Sequence, residues 1–257
     1  MRIIVHPGFH KTGTSSLQAH LAANRAALSG YARIVLLDEL QEPLRFATHF
    51  CIGRDPFDLA GFTASFAHVC EDLAQKPVQT VVISCEGLSG RTPGKRGIMD
   101  YAAAVPLANA MEMAISAVFG SKIDLTFLYT TRTAVPWLNS AWRHNLVGYR
   151  ITQDFTAFCA EFAKAADFDR ITDQVARNVG GATVIVTPLE QVLHQPAKAV
   201  LQLLNLPVDA IARLREPGLK NAGISQALAT EILAINRSSV TDAEAKRLKA
   251  IAIEQRP

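Results

Sequence analysis

Met1-Arg2-Ile3-Ile4-Val5-His6-Pro7-Gly8-Phe9-His10-Lys11-Thr12-Gly13-Thr14-Ser15-Ser16-Leu17 opens the chain. A short apolar run, a glycine-containing turn and the start of an amphipathic pattern describe a β-strand feeding a helix through a tight loop. Gly8 and Gly13 let the backbone turn sharply, so that N–H groups freed at the helix start face an anion and the helix dipole adds a partial positive charge. Lys11 contributes a full charge, and Thr14 and Ser15 contribute hydroxyl donors. The stretch reads as a phosphate cradle. Charge-assisted hydrogen bonds contribute roughly 1.5–3 kcal/mol each, so four or five of them hold a nucleotide phosphate at about micromolar affinity after association costs. The glycines are spaced as in a Walker A loop, yet Thr14 follows Gly13 where that motif requires lysine, and the lysine stands two places before the glycine.

Outward from this loop, apolar runs at residues 3–6, 33–37, 80–85, 124–130 and 182–187 predict buried strands. Helical patterns alternate with them over 14–28, 58–75, 101–119, 135–147, 155–179 and 189–204, and a helix-rich end follows over 208–254. This alternation predicts an α/β, three-layer, P-loop-like fold with a mostly parallel sheet of about five strands flanked by helices. The 257 residues allow one or two domains by typical size, and one is the reading, covering 1–257. Residues 89–97, with their glycines and three basic side chains, predict a mobile loop beside the sheet.

Composition narrows the function classes. A chain with 49% hydrophobic and 19% charged residues builds a sizeable core and is neither disordered nor fibrous. A net charge of +3, from 26 Lys+Arg against 23 Asp+Glu, is too small for a nucleic-acid footprint but permits a local anion site. Cys51, Cys70, Cys85 and Cys159 lack metal-ligand or disulfide-framework spacing, so they read as reduced thiols of a cytoplasmic protein without a metal site. The N-terminus lacks the pattern of a signal peptide, and the apolar stretch 101–120 carries Pro106, Asn109 and Glu112, which argues for a core helix and no transmembrane segment.

His10-Lys11-Thr12-Gly13-Thr14-Ser15-Ser16-Leu17-Gln18 resembles the phosphosulfate-binding loop of the PAPS-dependent sulfotransferases, of the bacterial type. A second signature of that family follows, a strand ending in Arg132 with Ser140 eight positions on. The planar fork of Arg132 and the Ser140 hydroxyl suit a 3′-phosphate, although Thr133-Ala134 replaces the family's commoner Arg-Asn/Asp-Pro start. Ile83-Ser84-Cys85-Glu86-Gly87-Leu88 looks like the family's third strand end. Val186-Thr187-Pro188-Leu189-Glu190 with 201–206 looks like its last strand and helix. The resemblance spans residues 1–226 and leaves 227–257 as a helical tail. It implies PAPS as co-substrate, held by Lys11, Thr12, Gly13, Thr14, Ser15, Arg132 and Ser140. Lys220 is added from the stretch where relatives carry an Asn-x-Ser loop, with Gly223 here in place of the serine.

Sulfuryl transfer passes through a loose transition state, so the protein mainly aligns donor and acceptor and stabilises charge on the leaving oxygen. The resemblance gives that role to Lys11. Glu86, at a strand end, is the first choice to take the acceptor's proton and His10 the second. His49, Arg143 and His144 are candidates for the acceptor pocket, and Arg91, Lys95 and Arg96 for attracting an anionic acceptor or the cofactor. The acceptor, a small molecule, carbohydrate, lipid or peptide, and the oligomeric state stay open. Two other readings compete: a P-loop kinase or nucleotide hydrolase, with Glu86 as the strand-end acid holding magnesium through water, and a nucleotide-binding module without catalysis.

Overall fold

The computed structural model describes residues 1–75, 78–218 and 223–255. Five strands form one sheet: β1 (Arg2–His6), β2 (Arg33–Val35), β3 (Thr80–Ser84), β4 (Asp124–Thr131) and β5 (Thr183–Pro188). All neighbours are parallel and the order is β2-β3-β1-β4-β5. The chain therefore moves from β1 to one side for β2 and β3, then crosses to the other for β4 and β5. A crevice opens where the order reverses, at the carboxyl end of β1, and there the glycine-containing loop lies.

Helices before β4 are α1 (Thr14–Ala23), α2 (Arg25–Leu28), α3 (Gln41–Gly53), α4 (Pro56–Ala74) and α5 (Ala104–Phe119). Between β4 and β5 come α6 (Ala134–Gly148), α7 (Phe155–Phe162) and α8 (Phe168–Asn178). After β5 come α9 (Lys198–Leu201), α10 (Val208–Ala212), α11 (Gln226–Arg237) and α12 (Asp242–Glu254). Side chains alternate across a pleated strand, and the core divides accordingly. Ile3, Val5, Val81, Ile83, Phe127 and Tyr129 face a large cluster with the long helices α4, α5, α6 and α8. Ile4, Ile34, Val82 and Leu128 face a smaller one with Leu17 and Leu21 of α1 and Val200 of α9. The result is a three-layer α/β architecture ending in helices, as the alternation of elements predicts. Among the described residues no helix is long and apolar enough to cross a membrane.

Three predicted helices are broken, each for a local reason. Residues 14–28 divide at Asn24, whose side-chain amide donates to the carbonyls of His20 and Arg215 while its Oδ1 accepts from the Arg215 N–H. Residues 155–179 divide where Asp167 caps a new helix by accepting from the N–H of Arg170. Residues 189–204 collapse into short turns around Pro196, which cannot donate to a helical ladder, leaving α9. The helix α3 has no counterpart in the sequence reading; Pro43 in its first turn, where the missing N–H costs nothing, hides a pattern that buries Ala47, Phe50 and Cys51.

The stretch 89–97 is not the loose loop its composition suggests. Thr92 is fully buried, the Pro93 carbonyl accepts from Asn145 Nδ2 of α6 at 2.9 Å, and Lys95 and Ile98 form a bridge across a tight turn. Its glycines make the turn close and let it dock: a Cβ on Gly94 would lie 2.4 Å from Asn145 Nδ2. The carboxyl end of α6 is fixed in turn by the final helices. Lys249 Nζ donates to the carbonyls of Leu146 and Tyr149 at 3.0 Å each, and Asn236 Nδ2 donates to that of Ile151 at 2.9 Å. A lysine charge at this end also complements the helix dipole.

Candidate functional site

A hydrogen-bonded chain across three strand ends sets the loop after β1. The His6 ring lies between Ser84 Oγ at 2.8 Å and Thr130 Oγ1 at 3.2 Å. Thr130 Oγ1 is 2.9 Å from Thr12 Oγ1, which donates to the Phe9 carbonyl at 2.7 Å. His6 is fully buried, and burial pushes its pKa down to about 3, so the ring is neutral. The loop turns over this ring: a Cβ on Gly8 would lie 3.2 Å from His6 Cε1 and 2.6 Å from Thr14 Cγ2. Lys11 and Gly13 both adopt left-handed conformations, with φ of 67° and 91°. Alternating hands of this kind turn successive N–H groups toward one side.

Above the loop is a cleft of about 680 Å³. It brings together His10, Lys11, Gly13, Thr14 and Ser15 from the first loop, Glu86 from beyond β3, and Arg132 and Ser140 from the β4–α6 junction. Segments about 120 positions apart in sequence thus meet at one surface, held there by β1 and β4 pairing side by side. Arg132 Nη1 donates to the Lys11 carbonyl at 3.3 Å, tying the two basic groups. The start of α6 is fixed by Glu190, whose Oε1 accepts from the Thr133 N–H at 3.0 Å and its hydroxyl at 2.9 Å. Burial opposes ionisation of Glu190, but these bonds and nearby Arg132 hold its carboxyl below the usual range.

Two of the sequence candidates stand apart. The Thr12 hydroxyl points into the His6–Thr130 chain, so this side chain braces the loop from beneath. Lys220 lies outside the described residues. Of the acceptor candidates, Arg143 and His144 line the cleft, whereas His49 is on the surface with Asp58 at 3.7 Å. Asn139, Leu189, Leu193 and Pro196 also line it and were not singled out by sequence. Leu189 had a signal of another kind, since Gly13 leaves no room there: a Cβ would lie 2.6 Å from Leu189 Cδ1.

His10 is clamped by its backbone. Its N–H donates to Tyr101 Oη at 3.2 Å and its carbonyl accepts from Trp137 Nε1 at 2.8 Å. The ring's Nδ1 is buried without a hydrogen-bond partner. Burial first, then the charges of Arg91, Lys95, His144 and Lys11, hold His10 well below the ordinary histidine range, so the imidazole is neutral. His144 is lowered to about 4, by burial and then by Lys11, Lys95 and Arg91. Lys11 is also lowered, by burial and by Arg132 and Lys95, against the opposing pull of Glu86. Glu86 is oriented by Gln18 of α1, whose Nε2 donates to Oε2 at 2.8 Å. The site is an electropositive cleft with a neutral imidazole and a braced carboxylate beside its lysine.

The chain was compared with protein-family models, with curated proteins and with solved structures, and no match was found in any of the three.

Proposed function

We propose that the protein is a sulfotransferase that moves the sulfuryl group of PAPS to a hydroxyl or amine acceptor without a metal. The observation that carries this reading is the convergence of Lys11, Thr14 and Ser15 with Arg132 and Ser140 on one cleft. These are two anion-binding groups on adjacent strands, and a nucleotide with phosphates at both its 5′ and 3′ positions needs two. Lys11 and Arg132 fit such a ligand for a second reason: among the described residues neither has a carboxylate within 4 Å. Partly buried cations that have no carboxylate in direct ion-pair contact favour an incoming anion.

In this reading the bond from sulfur to the bridging oxygen breaks, the acceptor's oxygen or nitrogen bonds to sulfur, and the bisphosphate nucleotide leaves. Lys11, with the N–H groups of the loop, stabilises the negative charge that grows on the leaving oxygen. The acceptor's proton passes to the neutral imidazole of His10, which lines the cleft. A weak base suffices, because in a loose transition state the proton departs late, when attachment to sulfur has already made it acidic. Glu86, braced by Gln18, orients the acceptor's hydroxyl or amine.

Calorimetric titration with adenosine 3′,5′-bisphosphate, compared with ATP plus magnesium, tests the reading. Micromolar binding of the bisphosphate without metal and a weak response to ATP is the expected result. Preference for ATP with magnesium replaces the reading with a kinase or hydrolase, and binding of neither ligand removes the nucleotide site altogether.

A further inference from the structure

Two apolar walls line the cleft, at opposite ends of α6. Leu189, Leu193 and Pro196 form the first, beside Gly13. It lies at the amino end of the helix, where Glu190 Oε1 accepts from the N–H and the hydroxyl of Thr133. Val147 and Ile224 form the second, at the carboxyl end. Both are half-buried and pack on the larger core cluster. Arg143 holds this second wall in place, because its Nη1 donates to the Ile224 carbonyl at 2.7 Å and its Nη2 to Gln226 Oε1 at 2.9 Å.

The helix presents one face to the cleft along its length, with Pro136, Ser140, His144 and Val147 recurring at helical spacing. At 1.5 Å per residue, Val147 stands about 10 Å beyond Ser140 and about 21 Å beyond Thr133. The nucleotide accounts for one wall only. Its ribose carries the 3′-phosphate and the base on a single ring, so a phosphate on Arg132 keeps the base at the amino end, against Leu189, Leu193 and Pro196. Val147 and Ile224 are left for the other reactant. Past Ser140 the cleft is lined on α6 by Arg143, His144 and Val147, with Gly223 and Ile224 beside them, and none of the basic residues of the 89–97 turn reaches it.

Resting on the sulfotransferase reading, we infer that the acceptor is an alcohol or amine with an apolar body, alkyl or aryl, which lies on Val147 and Ile224 while its hydroxyl or amine reaches the sulfur held at Lys11. Each methylene moved from water onto such a wall adds to binding in proportion to the area it covers. A polar body of the same length gives up its water there without gaining a partner. The body, and not the reacting group, then sets which acceptors are used.

The test uses acceptors matched in nucleophile and length but not in polarity: heptanol against diethylene glycol monomethyl ether, and propylphenol against methoxymethylphenol. Transfer of labelled sulfuryl from PAPS is measured for the wild type and for the Val147→Thr/Ile224→Thr double variant. At least a tenfold preference in kcat/KM for the apolar member of one pair is expected, and the pair that shows it identifies the body as alkyl or aryl. In the double variant KM for that acceptor should rise at least fivefold with kcat nearly unchanged, while affinity for adenosine 3′,5′-bisphosphate stays within about twofold. Equal use of both members in both pairs, or a preference that survives in the variant, overturns the inference. If no pair is turned over, methyl NMR of the bisphosphate-saturated protein decides: shifts at Val147 and Ile224 on adding heptanol or propylphenol support the inference, and shifts at Leu189 and Leu193 instead, or none, overturn it. Loss of this inference with intact bisphosphate binding leaves the sulfotransferase reading standing; absence of bisphosphate binding removes both.

Discussion

Lowering the pH from 7 to 5 should destabilise this protein through His6, before any carboxylate is protonated in quantity. Burial holds His6 at about 3 against its ordinary 6.5, so below 6.5 the unfolded chain takes up a proton that the folded chain refuses. Stability is then full above about pH 6.5, falls as the pH drops, and stops falling on this account near pH 3. Linkage with those two values gives a loss of about 2 kcal/mol between pH 7 and pH 5, and ~4 kcal/mol by pH 3. For a domain with a stability of roughly 5–15 kcal/mol that is a large share. Urea unfolding at a series of pH values measures it. His6→Gln keeps an amide donor and acceptor near Ser84 and Thr130 but cannot titrate, and it should shed close to one proton, about 1.4 kcal/mol per pH unit, from the slope around pH 5.5. Proton NMR of the His6 ring is a second readout that needs no variant, and the ring should stay neutral to pH 4. A slope equal in both proteins, or a His6 midpoint near 6.5 in the folded state, would refute the reasoning.

Three substitutions probe the loop and the cleft. Lys11→Ala should lower kcat roughly 10²–10³-fold, the usual cost of removing one transition-state stabiliser, with a much smaller change in bisphosphate affinity by calorimetry; equal losses in both would remove its special role at the leaving oxygen. Arg132→Ala should weaken adenosine 3′,5′-bisphosphate by roughly 1.5–3 kcal/mol and leave adenosine 5′-phosphate nearly unchanged, so an equal loss for both ligands would contradict a 3′-phosphate contact. Gly13→Ala combines a left-handed φ of 91° with a contact of 2.6 Å to Leu189 Cδ1 and should cost about 1–3 kcal/mol in thermal unfolding. Adding Leu189→Ala should return the steric part, and no recovery would mean that the backbone alone sets the cost.

The layers of the fold were legible because strand and helix periods differ and because β1, β3 and β4 are buried on both faces, giving short apolar runs that need no partner to be recognised, whereas the edge strand β5, read as buried, is only partly covered. That Ser15, Lys11 and Arg132 line one cleft was legible only through the family resemblance that named them together, since a hydroxyl at a helix start or an arginine at a strand end alone is as well explained by capping or an ion pair. Breaks within helices were not legible. The division at Asn24 depends on Arg215, almost two hundred positions away, and no local window contains it. The docked state of residues 89–97 was hidden likewise, since its glycines signal a turn equally well whether the turn is free or packed on Asn145.

Thr12 shows why the site itself was only partly legible. In sequence it is one more hydroxyl in a loop of hydroxyls, and resemblance places it among the ligand contacts. In the fold the strand order puts β3 and β4 on either side of β1, so Ser84, His6 and Thr130 end side by side and Thr12 completes their chain from above. Buried polar groups are in the great majority hydrogen-bonded, and the neutral His6 ring offers one donor and one acceptor, which Ser84 and Thr130 satisfy. Thr130 then reaches Thr12, and Thr12 reaches the Phe9 carbonyl. The loop is therefore braced from beneath by side chains, and Lys11 and Gly13 line the cleft above it. The buried histidine thus anchors, through Thr130 and Thr12, the loop that carries the half-buried Lys11 to the cleft.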